Sequence, residues 1–170
     1  MHASASFSTP SPLRHAGAVA WPMILCGGLA IAATDLIYCL LYWSPQGVAP
    51  ARLLQGIAAG ALGAAAFAGG AATAVLGAGL QWLIGSCFVL AYALVATRVA
   101  LLRAHPHRYG IAYGLLLYLL MNGVVLPLSA APAPKHPQLA WMLLNIPMFA
   151  LFGTIAARFA VGALGRRVRG

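Results

Sequence analysis

Residues 71–108 read AATAVLGAGLQWLIGSCFVLAYALVATRVALLRAHPHR. No side chain from Ala71 to Thr97 is charged; Arg98, Arg103 and Arg108 then surround the turn Ala104-His105-Pro106-His107. A hydrocarbon core about 30 Å thick needs about 20 residues at 1.5 Å each, so the uncharged run is long enough to cross a bilayer. The arginines behind it mark where the chain leaves the lipid. The bias of Lys and Arg toward cytoplasmic loops puts that exit inside the cell.

Three further runs, about 17–43, 109–130 and 138–161, have the same length and apolar character. The composition agrees: 62% of the 170 residues are hydrophobic and 6% charged, against roughly a quarter charged in ordinary soluble domains. A soluble fold of this size has too little interior to hide so much apolar surface, whereas a chain dissolved in lipid needs no such interior. The expected fold is therefore all-α, an integral membrane four-helix bundle occupying residues 17–165. A Ser- and Pro-rich cytoplasmic segment, 1–16, precedes it with the composition of disorder, and a basic cytoplasmic tail, 166–170, follows. Arg14 before an apolar run has the look of a signal peptide, but the run continues to Tyr42-Trp43. It reads as an uncleaved first span.

The stretch from Pro50 to Gly70 carries almost no charge and competes as a fifth span. Charge decides against it. Four spans put Arg14, the 98–108 cluster, Arg158, Arg166, Arg167 and Arg169 on one side, eight of the ten Lys and Arg residues, and leave Arg52 and Lys135 outside. A fifth span before residue 71 would separate Arg14 from the 98–108 cluster. The reading is thus a multi-pass inner-membrane protein with both termini cytoplasmic. Pro50 suits a helix start and Gly69-Gly70 a break. Leu53, Leu54, Ile57, Ala58, Ala61, Leu62 and Ala65 recur at helical spacing, opposite a small face of Gly56, Ala59, Gly60 and Gly63. Residues 50–70 therefore predict a short buried or re-entrant helix packed on the bundle from its outer side. Gly56-x-x-x-Gly60 and Gly110-x-x-x-Gly114 are small-residue pairs that let helices approach closely, within one chain or between copies in a homo-oligomer.

Polar side chains within spans are the best functional clue in such a sequence. Each span carries one strong hydrogen-bonding group: Asp35, Gln81, Asn122 and Asn145. Counted from the expected outer ends, each sits roughly 10 to 14 Å below the outer boundary at 1.5 Å per residue. Asp35 is the sole acid of the chain. A carboxylate in lipid is costly unless it keeps its proton or meets a cation, so Arg52 and the three amides are its candidate partners. Thr34, Tyr38 and Tyr42 extend a polar edge beside it. Asn145 precedes Pro147 by two residues and is placed to satisfy a carbonyl released by a proline bend.

Other chemistries lack their residues. The net charge of +9 comes from basic residues scattered singly between apolar runs, not from the basic surface that nucleic acid requires. Cys26, Cys39 and Cys87 form no Cys-x-x-Cys pair and have no histidine at ligand spacing, so no metal or cofactor is expected. There is no nucleophile elbow, no zinc-protease helix motif, no phosphate-binding glycine loop and no pair of carboxylates. The expectation is a non-enzyme.

The stretch Leu80-Gln81-Trp82-Leu83-Ile84-Gly85 running to Ala91-Tyr92-Ala93-Leu94-Val95-Ala96 resembles bacterial inner-membrane proteins of the YagU type. So does Tyr113-Gly114 through Met121-Asn122 to Pro127-Leu128-Ser129. The resemblance covers the second and third spans. It implies a small four-span protein of unassigned biochemical function with a link to acid tolerance. That type has histidines where Gln81 and Asn122 stand here, so the resemblance implies no proton-handling role for these two positions. From the residues themselves, two functions are expected. One is binding or passage of a small cation, proton or polar solute through Asp35, with Gln81, Asn122, Asn145, Thr34, Tyr38 and Arg52 around it. The other is an accessory or structural role through helix contacts.

Overall fold

The computed structural model describes residues 20–132 and 138–165. The segment 1–16, the first residues of the opening span (17–19), Lys135, His136 and the tail 166–170 lie outside the described residues. All regular structure among the described residues is helical. The elements are α1 (Trp21–Trp43), α2 (Pro50–Leu62), α3 (Gly70–Arg98), α4 (Ala100–Ala104), α5 (Pro106–Leu128) and α6 (Leu139–Gly165). Prolines open α1, α2 and α5, where a missing N–H costs no hydrogen bond. Against the expected limits, α5 begins earlier, at Pro106, and α6 continues to Gly165. The 98–108 segment adds the five-residue α4 to the expected turn.

Neighbour pairs fix the helix directions. Gly28 lies against Gly85 and Ser86, while Asp35 meets Gln81, so α1 and α3 run antiparallel. Met23 meets Gly162, Gly27 meets Phe159, and the Tyr42 hydroxyl donates to Gln138 Oε1 at 3.0 Å, which makes α1 and α6 antiparallel. Gly110 against Ala157 and Gly114 against Phe149 set α5 antiparallel to α6. The C-terminus of α1, the N-terminus of α3, the C-terminus of α5 and the N-terminus of α6 therefore share one end of the bundle. We call it the Trp43 end.

Five helical segments are long and apolar enough to cross a membrane, Pro50–Ala68 among them. That segment differs from the others in being broken. Its α-helical part stops at Leu62, Gly63 takes φ +64° with ψ −152°, and a 3-10 helix, Gly63–Ala68, follows. Thirteen α-helical residues span only about 20 Å at 1.5 Å each. Because α1 and α3 are antiparallel, this segment leaves and rejoins the bundle at the Trp43 end. There α2 packs on α3, with Leu54 against Gly77, and the Ala130 N–H donates to the Gly60 carbonyl at 3.0 Å. The expected division of α2 into an apolar and a small face is corrected. Gln55, Ala58 and Ala59 are buried, whereas Ala61 and Leu62 are exposed. Gln55 supplies the reason, since its Nε2 donates to the Gly70 carbonyl at 3.0 Å and turns that face inward.

The distribution of side-chain size is inverted relative to a water-soluble bundle. Ala93, Ala96, Ala156, Ala157, Ala160 and Ala163 fill the centre around Ile24, Val89 and Tyr92. Leu29, Ile37, Leu41, Val75, Leu83, Leu116, Leu119 and Leu128 all face outward. A Cβ on Gly114 would collide with the Phe149 carbonyl, and one on Gly153 with Gly110 and Gly114. The pair Gly110-x-x-x-Gly114 thus serves contact within the chain. Gly56 and Gly60 have open space where a Cβ would stand. Gly114→Leu should lower the thermal midpoint of the purified protein steeply, by the equivalent of about 3 kcal/mol or more, because overpacking here meets backbone. Gly60→Ala should hold or raise that midpoint, since alanine gains about 1 kcal/mol of helix propensity.

Candidate functional site

The open glycines of α2 face a cavity of about 330 Å³ at the Trp43 end. Asp35, Leu36, Cys39 and Trp43 of α1 form one wall, Gln81 and Ile84 of α3 another. Leu53, Gly56, Ile57 and Gly60 cover it from α2, and Met121, Val125 and Leu126 close it from α5. Most of this lining is apolar. A second cavity of about 320 Å³, between α3, α4 and α5, is lined by residues such as Tyr92, Leu102, Tyr109 and Tyr113 and holds no charged side chain.

Asp35 Oδ2 accepts a hydrogen bond from Gln81 Nε2 across the α1–α3 contact. The Cys39 thiol, one turn along α1, approaches the same oxygen at 3.9 Å. The other carboxyl oxygen has no protein donor among the described residues. No Lys, Arg or His forms an ion pair with Asp35 among them either, so a single amide and a weak thiol donor serve this acid. Close packing places them: Gly28 and Gly85 bring the two backbones together nearby, which fixes the register at which Gln81 reaches Asp35.

Of the seven residues singled out in the sequence, only Asp35 and Gln81 are brought together. Arg52 is exposed on α2, its guanidinium 4.7 Å from the Phe67 ring centre. It does not line the cavity, although Gly56 one turn further on does. Asn122 is exposed and donates to the Tyr118 carbonyl at 2.9 Å. It sits in a π-helical turn, Met121–Val125, where the Leu126 N–H reaches back five residues to Met121. Pro127, which has no N–H, follows directly, and such insertions re-aim the side chains around them. Met121 and Val125 reach the cavity instead.

Asn145 donates to the Trp141 carbonyl at 2.9 Å, four residues back on its own helix. The carbonyl left without its donor by Pro147 is that of Leu143, so the expected compensation is not the one formed. Thr34 Oγ1 donates to the Ala30 carbonyl at 2.7 Å. Tyr38 stacks on Trp141 with ring centres 5.0 Å apart, and its hydroxyl is buried without a partner among the described residues. Tyr38 and Tyr42 stand beside Asp35 on α1, as their spacing predicts, but none of Thr34, Tyr38 and Tyr42 lines the cavity. Tyr42, Trp43 and Trp141 join Tyr38 in an aromatic clasp between α1 and α6.

The sequence reading missed Cys39 and Trp43 as neighbours of the acid. Both were visible in principle, at four and eight residues from Asp35 on one helical face. Comparison with family models, curated proteins and solved structures finds no match to this chain. The Asp35–Gln81 pair is testable by coupling. Gln81→Leu should destabilise the protein by about 0.6–1.7 kcal/mol, the range of interhelical side-chain hydrogen bonds in lipid. Asp35→Leu added to it should recover most of that loss in thermal denaturation, because both polar groups are then gone.

Proposed function

We propose that this is a four-pass membrane protein, both termini cytoplasmic, that binds or passes a small cationic or polar solute at Asp35 in the outer half of its bundle. The observation that carries the reading is the sole acid of the chain, without an ion-pair partner among the described residues, standing on the wall of a 330 Å³ cavity. A buried ionisable group kept in an apolar bundle is expensive, and such groups mark binding or transport sites more often than packing. The outward-facing leucines support lipid as the solvent. Antiparallel α1 and α3 favour four crossings, with α2 re-entering and leaving at the Trp43 end. Arg98, Arg103, Arg108 and Arg158 then lie at or toward the opposite end, the cytoplasmic one by charge bias.

A second reading has its own support. Gln81 already answers one oxygen of Asp35, and interhelical hydrogen bonds in lipid contribute on the order of 0.6 kcal/mol. The acid would then be helix glue in an accessory or structural protein. Asp35→Asn separates the two. Under the binding reading the variant inserts and purifies as the wild type does, but loses proton or sodium uptake in reconstituted vesicles at least tenfold. Under the structural reading stability falls and no specific flux exists to lose. Reporter fusions at the 105–107 turn and the carboxyl tail should both report cytoplasm; opposite sides would remove the four-pass arrangement.

A further inference from the structure

Asp35 and Trp43 are eight residues apart on α1, about 12 Å along the helix at 1.5 Å per residue. Both line the same cavity, with Leu36 and Cys39 between them and Leu53 and Ile57 opposite. The cavity is therefore graded: one carboxylate and one amide well inside, a mostly apolar corridor beyond, and an indole at the Trp43 end, where Ser129 adds a hydroxyl already engaged with the Leu126 carbonyl and the Ala131 N–H. Its protein oxygens near the acid are the Asp35 carboxylate and the Gln81 amide. Calcium takes six to eight oxygen ligands and magnesium a full octahedron, so this set is sparse for a hard metal ion. It suits a ligand that carries one positive charge and an apolar body. The charge would be answered by the Asp35 oxygen that has no protein donor among the described residues, the body by aliphatic walls and the Trp43 ring. The volume lies in the range of small-molecule sites.

The glycines of α2 give this grading a second, independent argument. Elsewhere in the chain Gly77, Gly85, Gly114 and Gly153 are required because backbone presses on them, while Gly79 and Gly123 are open but do not line this cavity. Gly56 and Gly60 meet nothing within 4 Å, and neither has a positive φ. Packing and backbone conformation leave both positions free to carry a side chain. What their smallness does is keep the cavity wide along the corridor.

We propose that the cavity is a binding site for an organic monocation with an apolar body, its ammonium on Asp35 and its body between the Gly56–Gly60 edge of α2 and Trp43. The proposal rests on the reading of Asp35 as a binding group and adds the ligand class. The test uses the purified full chain in detergent with benzyltrimethylammonium as probe, followed by tryptophan fluorescence and calorimetry. The wild type should bind saturably. Asp35→Asn should weaken binding at least tenfold, and so should Gly60→Leu, which fills the corridor and leaves the acid in place. Gly79→Ala, at an open position of α3 that does not line the cavity, should bind within about threefold of the wild type and serves as the control; Gly56→Leu repeats the blockade from the neighbouring turn. Asp35-dependent proton or sodium uptake is measured on the same preparations after reconstitution into vesicles. Uptake without binding of the organic cation overturns the ligand class and leaves the Asp35 site standing. Neither uptake nor binding in a folded wild type overturns both. Binding that survives Gly60→Leu and Gly56→Leu undiminished also overturns the proposed seat.

Discussion

The helices of this chain are held by close approach of backbone to backbone, made possible by residues with little or no side chain. Gly110 and Gly114 of α5 lie directly on Gly153, Thr154 and Phe149 of α6. Gly28 and Gly85 do the same for α1 and α3. In a lipid solvent apolar side chains gain little by leaving their surroundings, so association relies on dispersion contacts and local hydrogen bonds. Such contacts fall off steeply with distance, which is why the centre is alanine and glycine while leucine and isoleucine point outward. The rest of the architecture follows from these contacts. α6 touches α1, α3 and α5 through its Ala- and Gly-rich face, and the register it sets decides which side chains can meet.

The same close packing explains the economy of the polar groups. Thr34, Thr154, Asn122 and Asn145 donate to carbonyls four residues back on their own helices. A polar side chain in an apolar bundle satisfies itself locally unless a neighbour is forced within reach. Gln55 reaches the Gly70 carbonyl, and Gln81 reaches Asp35 because the Gly28–Gly85 contact, two turns away along α1, brings α3 against α1. Aromatic donors also cross between helices: Trp82 Nε1 to the Leu25 carbonyl at 2.9 Å, and Tyr113 to that of Phe88 at 2.9 Å. They tie neighbouring helices together without using another side chain as partner.

α2 has two opposite edges with different consequences. On one, Leu54 meets Gly77 of α3, Ala58 and Ala59 pack with Ala66, and Gln55 reaches the turn at Gly70, whose φ of +58° favours glycine. On the other, Gly56 and Gly60 leave a gap. A short helix held along one edge and open along the other makes a cover rather than a further member of the bundle. The cavity with Asp35 exists because of this asymmetry, and because the π turn before Pro127 swings Met121 and Val125 toward it.

Helical class, the four long apolar runs and the odd character of residues 50–70 could be read from the chain itself. Hydropathy and the spacing of arginine depend only on composition along one dimension. Position along each helix was also legible, since rise per residue is nearly constant, and from it a common level for the four polar groups was expected. Azimuth was not. Two residues at equal depth on different helices meet only if both helices turn the right faces together, and those rotations are set by glycine contacts between distant segments. Asp35 and Gln81 therefore pair while Asn122 and Asn145 do not, and Trp43 rather than Arg52 shares the acid's cavity. The one-dimensional pattern fixed how far along each helix a residue lies; only three-dimensional packing decided what it faces.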